Sequence, residues 1–207
     1  MLRKILFKLG FVKTRGFGKT RFPKQYQKSV GMNAAEFLHE NSKELVQVLK
    51  DNNIIPKIET VFEIGSGPGR NLFYLSKEKN LQLHCSDLFK KESLKNMDSE
   101  LKKIITFFEG DSEEIALKNP VKNLDLVLIS DHLMHLQYKK AEIILNQIND
   151  TWRPQYILLR EIKKEYEDIS HPRLYHNYEI LLTKYDLVYE NVSNQDKNYF
   201  IWLLKKK

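Results

Sequence analysis

From residue 58 to residue 162, short apolar runs take turns with stretches whose apolar positions fall at helical spacing. The runs are IETVFEIG (58–65), LQLHCSD (81–87), IITFFEGD (104–111), LDLVLISD (124–131) and YILLREI (156–162). Near-continuous apolar runs of this length, bounded by Gly, Asp and Asn, predict strands buried on both faces of a parallel sheet. The spacers 69–79, 90–103, 112–118 and 137–150 predict helices, so the repeating unit is βαβ. An earlier helix is predicted from Ala34, Phe37, Leu38, Leu45, Val48 and Leu49, closed by Asn52 and Pro56. Right-handed crossovers then lead to a doubly wound, three-layer αβα sandwich.

The last quarter of the chain changes rhythm. RLYHNYEILLTKY (173–185) predicts a helix, DLVYENV (186–192) a strand, SNQDKN (193–198) a turn and YFIWLLK (199–205) a further strand. Too little chain separates the two strands for a crossover, which predicts an antiparallel hairpin closing one edge of a seven-stranded, mostly parallel sheet.

Composition changes this picture little, and charge changes it in one place. The 207 residues are 42% hydrophobic and 29% charged, an ordinary balance for one folded domain. No apolar run reaches the roughly 18 residues of a membrane span. The single cysteine, Cys85, can form no internal disulfide; it is expected to be a buried thiol, and a cytoplasmic setting is expected with it. No Cys/His spacing of the zinc-binding type occurs, so no metal site is expected. The net charge is +7, yet nine Lys and Arg precede the first acidic residue, Glu36, and subtracting them leaves −2 for the rest. The basicity belongs to an N-terminal arm, residues 1–32, ahead of a domain expected over 33–207. In the arm, Leu2, Ile5, Leu6 and Leu9 recur at i, i+3, i+4 and i+7. Such a stripe can lie on an anionic membrane surface, pack on the protein's own body or a second subunit, or accompany basic residues to RNA phosphates. A peripheral membrane location is thus one expectation. The apolar run is broken by Lys4 and Lys8 and no small-residue cleavage site follows, unlike a secretory signal.

Three of the chain's eight glycines, Gly65, Gly67 and Gly69, fall within five positions where the first strand turns into a helix. Glycine permits positive φ and close approach of a ligand to the backbone, and the following helix offers free amides and the positive end of its dipole. A dinucleotide cradle normally reads G-x-G-x-x-G, whereas this one reads EIGSGPG. Asp87 ends the second strand, where an acid can accept two ribose hydroxyls, and Asp111 follows the third strand, where an acid can reach an adenine amino group. Two such acids, with no basic residue inside the loop, suit a cationic adenosyl ligand better than a diphosphate.

VFEIGSGPGRNLFYL, LHCSDLF, FEGDSEEI and LDLVLISDHLMHL together resemble, in order and spacing, the motifs of class I S-adenosylmethionine-dependent methyltransferases. The resemblance covers roughly residues 34–205, and the terminal strand pair resembles that family's antiparallel strands six and seven. It implies a Rossmann-like methyltransferase fold with S-adenosyl-L-methionine as cofactor. It also implies that Glu63, Gly65, Gly67 and Gly69 form the cofactor loop and that Asp87 binds the ribose. Leu88 would flank the adenine, Asp111 and Ser112 would hold its edge, and Ser130 and Asp131 would lie beside the methionine portion. Asp131 and His132 are the candidate catalytic residues, since a hydroxyl acceptor profits from a positioned base; for His132, and for His135 after it, packing is the competing reading. Arg160, Arg173 and Tyr175 are candidate acceptor-binding residues at and beyond the fifth strand, and Tyr26 and Gln27 are candidates for a lid. The fourth motif lacks the Asn- or Asp-Pro-Pro-Tyr of enzymes that methylate amino groups of DNA bases, which directs the expectation away from DNA. A small-molecule or sugar-like acceptor, methylated on O or N, is expected; an RNA acceptor engaged by the basic arm is the alternative.

Overall fold

A computed structural model describes residues 32–162 and 175–207, with side chains from residue 39 onward. Residues 1–31 of the arm, with Tyr26 and Gln27, and Arg173 lie outside the described residues.

The elements follow in order: α1 (Met32–Asp51), β1 (Thr60–Ile64), α2 (Arg70–Ser76), β2 (Gln82–Asp87), α3 (Lys90–Asn96), α4 (Ser99–Ile104), β3 (Ile105–Glu109), α5 (Ser112–Lys118), β4 (Leu126–Ser130), α6 (Tyr138–Gln147), β5 (Tyr156–Ile162), α7 (Tyr178–Leu181), β6 (Tyr185–Val192) and β7 (Tyr199–Lys206). Seven strands make one sheet in the order β3-β2-β1-β4-β5-β7-β6. The pairs among β1 to β5 are parallel, and β7 runs antiparallel between β5 and β6. This is the doubly wound sheet with a terminal hairpin expected from the alternation of runs.

Every residue of β1 and β5 is buried, which is why those runs show no period-two polarity. Two apolar layers enclose the sheet. One joins α1, α2 and α4 through Leu45, Leu49, Leu72 and Leu101 to Leu83, Leu126 and Leu158; the other joins α5 and α6 through Ile115, Ile144 and Leu145 to Phe62, Val127 and Leu159. Cys85 is a free, buried thiol whose pKa burial pushes up to about 12.

Three helices differ from the sequence pattern. The 90–103 stretch is two helices, because Met97 is extended and the Asp98 carboxylate accepts the amides of Glu100 and Leu101, starting a new helix. The 137–150 stretch continues beyond α6 as a π-turn through Trp152, whose indole donates to the Ala116 carbonyl at 2.8 Å. The expected 173–185 helix is, within the described residues, only α7. Tertiary hydrogen bonds draw its end into β6: the Lys184 amide donates to Asn149 Oδ1 (3.0 Å) and the Tyr185 hydroxyl to the Pro154 carbonyl (3.0 Å).

Candidate active site

The chain reverses strand order between β1 and β4, and the loops at the carboxyl ends of β1 to β5 meet around that crevice. Gly65, Gly67 and Gly69 all have positive φ (+71°, +53° and +72°), so the loop is held in a conformation that side chains disfavour. It is tied to β2: the Gly65 and Ser66 amides both donate to the Ser86 carbonyl, at 2.9 and 3.0 Å. The Gly67 amide donates to Asp87 Oδ2 at 3.0 Å, while Asp87 Oδ1 accepts the Phe89 amide at 3.0 Å. Asp87 thus braces the glycine loop, and each of its oxygens keeps a further lone pair. Leu88, half-buried, follows it.

Glu63 lies beneath the loop, 2% exposed. Its Oε1 accepts Asn71 Nδ2 at 2.6 Å and its Oε2 has no partner. Burial pushes its pKa up to about 8, against the Asn71 hydrogen bond and with the nearby Asp87 charge adding to the rise.

At the end of β3, Asp111 caps α5 by accepting the Glu113 amide (3.1 Å) and pairs through Oδ2 with Lys140 Nζ at 2.8 Å. Burial acts to raise the Asp111 pKa, but Lys140 and the Glu113 amide outweigh it and hold the acid below its ordinary range. Ser112 Oγ lies 2.7 Å from His132 Nε2. The other side of that imidazole rests on Gly65 so closely that a Cβ there would overlap the ring. Burial lowers the His132 pKa, against the opposing charges of Asp87 and Asp111, which leaves a neutral imidazole near pH 7. His132 therefore bridges the glycine loop and the start of α5.

Ser130 ends β4 and Asp131 follows it. Asp131 takes φ +55°, its amide donates to the Arg160 carbonyl (2.9 Å), and Ser130 Oγ is 3.5 Å from its Oδ2. Arg160 is 1% exposed; its Nη1 donates to Asp131 Oδ1 at 2.5 Å, and its guanidinium lies 4.2 Å from the Tyr199 ring centroid. The next residue, Glu161, is fully buried and accepts three successive amides: His132 (3.0 Å) and Leu133 (2.8 Å) on Oε1, and Met134 (3.1 Å) on Oε2. Burial and the Asp131 charge push the Glu161 pKa up to about 8, opposed by those amides. His176 Nε2 lies 2.8 Å from the Leu133 carbonyl.

The crevice gathers Glu63, the glycine loop, Asp87, Asp111, Ser112, Ser130, Asp131 and His132. Tyr175 is placed apart from Arg160. It packs edge-on to Tyr178 with the α5–α6 layer, whereas strand alternation puts the Arg160 side chain on the α1–α2 face with Leu158. Glu161, His176, Lys140, Asn71 and Tyr199 form the supporting contacts that the motifs did not single out for these roles. For Glu161 a signal existed: a charged pair, Arg-Glu, interrupts a run that is otherwise wholly apolar.

Residues 61–155 match the methyltransferase domain family. No curated protein matches the chain. Among solved structures, the chain is similar to an O-methyltransferase family protein from Burkholderia thailandensis (TM-score 0.69, 14% identity), with 93% of this chain covering 62% of that one. It is also similar to magnesium protoporphyrin IX methyltransferase from Synechocystis PCC 6803 with bound SAH (0.68, 12%), covering 100% of this chain and 98% of that one. A third is the Burkholderia thailandensis 1,6-didemethyltoxoflavin-N1-methyltransferase with bound S-adenosylhomocysteine (0.65, 14%; 90% and 87% covered). At these identities the likenesses establish the fold. The family match and the fold agree on the class I methyltransferase architecture. Two of those structures hold S-adenosylhomocysteine.

The residues present fit an adenosyl ligand of that kind. A Cβ on Gly67 would meet nothing within 4 Å, so space lies open over the loop, and one buried oxygen of Glu63 awaits a donor. Among the described residues, no helix is long and apolar enough to cross a membrane.

Proposed function

We propose that this chain transfers the methyl group of S-adenosylmethionine to an oxygen or nitrogen of a small-molecule or sugar-like acceptor. The observation that carries the reading is the placement of an acid or glycine loop at three adjacent strand ends, β1, β2 and β3, with Ser130 and Asp131 beside them on β4. In this reading Glu63 and the glycine loop face the amino-acid portion, Asp87 takes the ribose hydroxyls, Leu88 flanks the adenine, and Asp111 with Ser112 reads its edge. The cofactor, when bound, supplies an electrophilic methyl group on a sulfonium.

Among the two catalytic candidates, Asp131 is assigned the acceptor. His132 is spent on Ser112 and Gly65, whereas Asp131 is 27% exposed at the rim and held by Arg160. The contribution of Asp131 is to orient the acceptor's O–H or N–H toward the methyl group and to receive its proton as the new bond forms. Orientation of this kind can supply about 7–11 kcal/mol in favourable cases. The test is isotope-labelled S-adenosylmethionine incubated with the protein and fractionated metabolites. Label should pass to a small molecule, and SAH should bind to the protein alone. A folded protein with no affinity for either form of the cofactor would overturn the reading.

A further inference from the structure

The carboxyl-end rim of the sheet has two halves. Asp111, Asp87 and the glycine loop occupy the β3-β2-β1 side, while Asp131, Arg160 and the first residue of β7, Tyr199, occupy the β4-β5-β7 side. On that second side one cation is only partly used. Arg160 donates to Asp131 through Nη1, and its Nε and Nη2 have no partner although both are buried. Buried donors without acceptors are rare and costly, more so on a charged group. The two unspent groups are not a random pair: Nε and Nη2 form the side edge of the guanidinium, the fork that takes two oxygens of one carboxylate or phosphate. The Tyr199 ring, 4.2 Å from the guanidinium carbon, fixes the plane of that fork. The nearest buried acid in sequence, Glu161, points to the other face of β5 and is spent on three amides, so it does not compete for the fork.

We propose that Arg160 recognises an anionic group of the methyl acceptor, a carboxylate or a phosphate, through its Nε and Nη2, with Asp131 holding the opposite end of the guanidinium. The inference rests on the methyltransferase reading and narrows its substrate class to anions. Asp131 shares the cation with the incoming group and competes with it, which fixes the sign of one variant. Both donors are closed to solvent, so neighbouring side chains must yield on entry and binding is expected to be slow.

The test uses the full chain saturated with SAH and titrated with acetate or inorganic phosphate, at ionic strength matched with chloride. At least one of the two anions should bind and raise the melting temperature. Acetate alone identifies a carboxylate acceptor, phosphate alone a phosphorylated one. Arg160→Met should weaken that binding at least about tenfold. Arg160→Lys, which keeps a charge but loses the fork, should also weaken it and serves where the Met variant fails to fold. Asp131→Asn should tighten it. If neither anion stabilises the wild type, or if the effect persists in the Arg160 variants, the proposal is wrong while the methyltransferase reading stands. If SAH itself does not bind, both fall.

Discussion

Gly65 and Gly67 stand two residues apart, both at positive φ, yet a methyl group added at each meets opposite surroundings. At Gly65 it overlaps the His132 ring; at Gly67 it enters open space. Both replacements by alanine carry left-handed strain of about 1–2 kcal/mol. Gly65→Ala adds a steric clash with the His132 ring and should melt at clearly lower temperature than Gly67→Ala. Gly67→Ala should remain folded but bind SAH at least about tenfold more weakly, because the methyl occupies the ligand's side of the loop. Calorimetry on the two variants separates a residue needed for packing from one needed for binding. His132 admits a similar separation. As a bridge between Gly65 and Ser112, its loss in His132→Ala should lower SAH affinity and stability together. As a general base it would instead lower turnover about 10²-fold with affinity intact. The geometry leads to the first outcome, and a clean turnover defect would reverse the assignment.

At the scale of elements, the strands were readable from their apolar runs, and so was the position of Asp87 at the end of β2 and of Asp111 just after β3. What stayed hidden were contacts between segments far apart in sequence. Nothing near residue 132 announces that Glu161, 29 residues on, gathers its amide and the two that follow. The split of the 90–103 helix was hidden for a local reason, since Leu94, Met97 and Leu101 continue the apolar spacing while Asp98 breaks it by capping. Glu161 also makes an element-scale test. In Glu161→Gln one amide nitrogen of the side chain faces a backbone donor, so at least one of three hydrogen bonds is lost and a buried N–H is left without an acceptor. The expected cost is about 1–3 kcal/mol. It should appear in hydrogen exchange as faster exchange of the His132, Leu133 and Met134 amides before any change in the β1 or β2 amides. Uniform acceleration across the sheet would mean that Glu161 supports the whole fold rather than this loop.

At the scale of the molecule, two buried acids and three histidines set opposite pH dependences. Glu63 and Glu161 have pKa values raised to about 8, so the folded state retains protons that the unfolded chain has released; stability falls as pH rises toward 8. His39, His84 and His132 are lowered by burial, so their contribution is full above about pH 6.5 and is lost only as pH falls below it. From pH 6.5 to 8.5 the acids act alone, and the melting temperature should drop by a few degrees. Both acids stand at about 8 with their hydrogen bonds in place, so Glu63→Gln and Glu161→Gln should each remove a comparable share of that slope. A profile that is flat or rising over this range would place both carboxylates in the ionised form.

The arm extends the argument beyond the sheet. The assigned site residues fall between Glu63 and Arg160, and α1 begins at Met32, so a chain starting at Met32 is expected to keep its affinity for SAH. A loss beyond about tenfold would make the arm part of the cofactor site, as expected if Tyr26 and Gln27 close over it. The apolar stripe Leu2, Ile5, Leu6 and Leu9 sits among nine cations and no acid. A helix formed on that stripe would be marginal alone in water, so its formation would need a surface. If that surface is an anionic membrane, the full chain should sediment with anionic vesicles at low salt, release at moderate salt, and lose the interaction on truncation. Equal sedimentation of both forms would eliminate a membrane contact through the arm. RNA affinity that falls steeply with salt and vanishes on truncation would instead favour the nucleic-acid acceptor, because counterion release scales with the phosphates contacted.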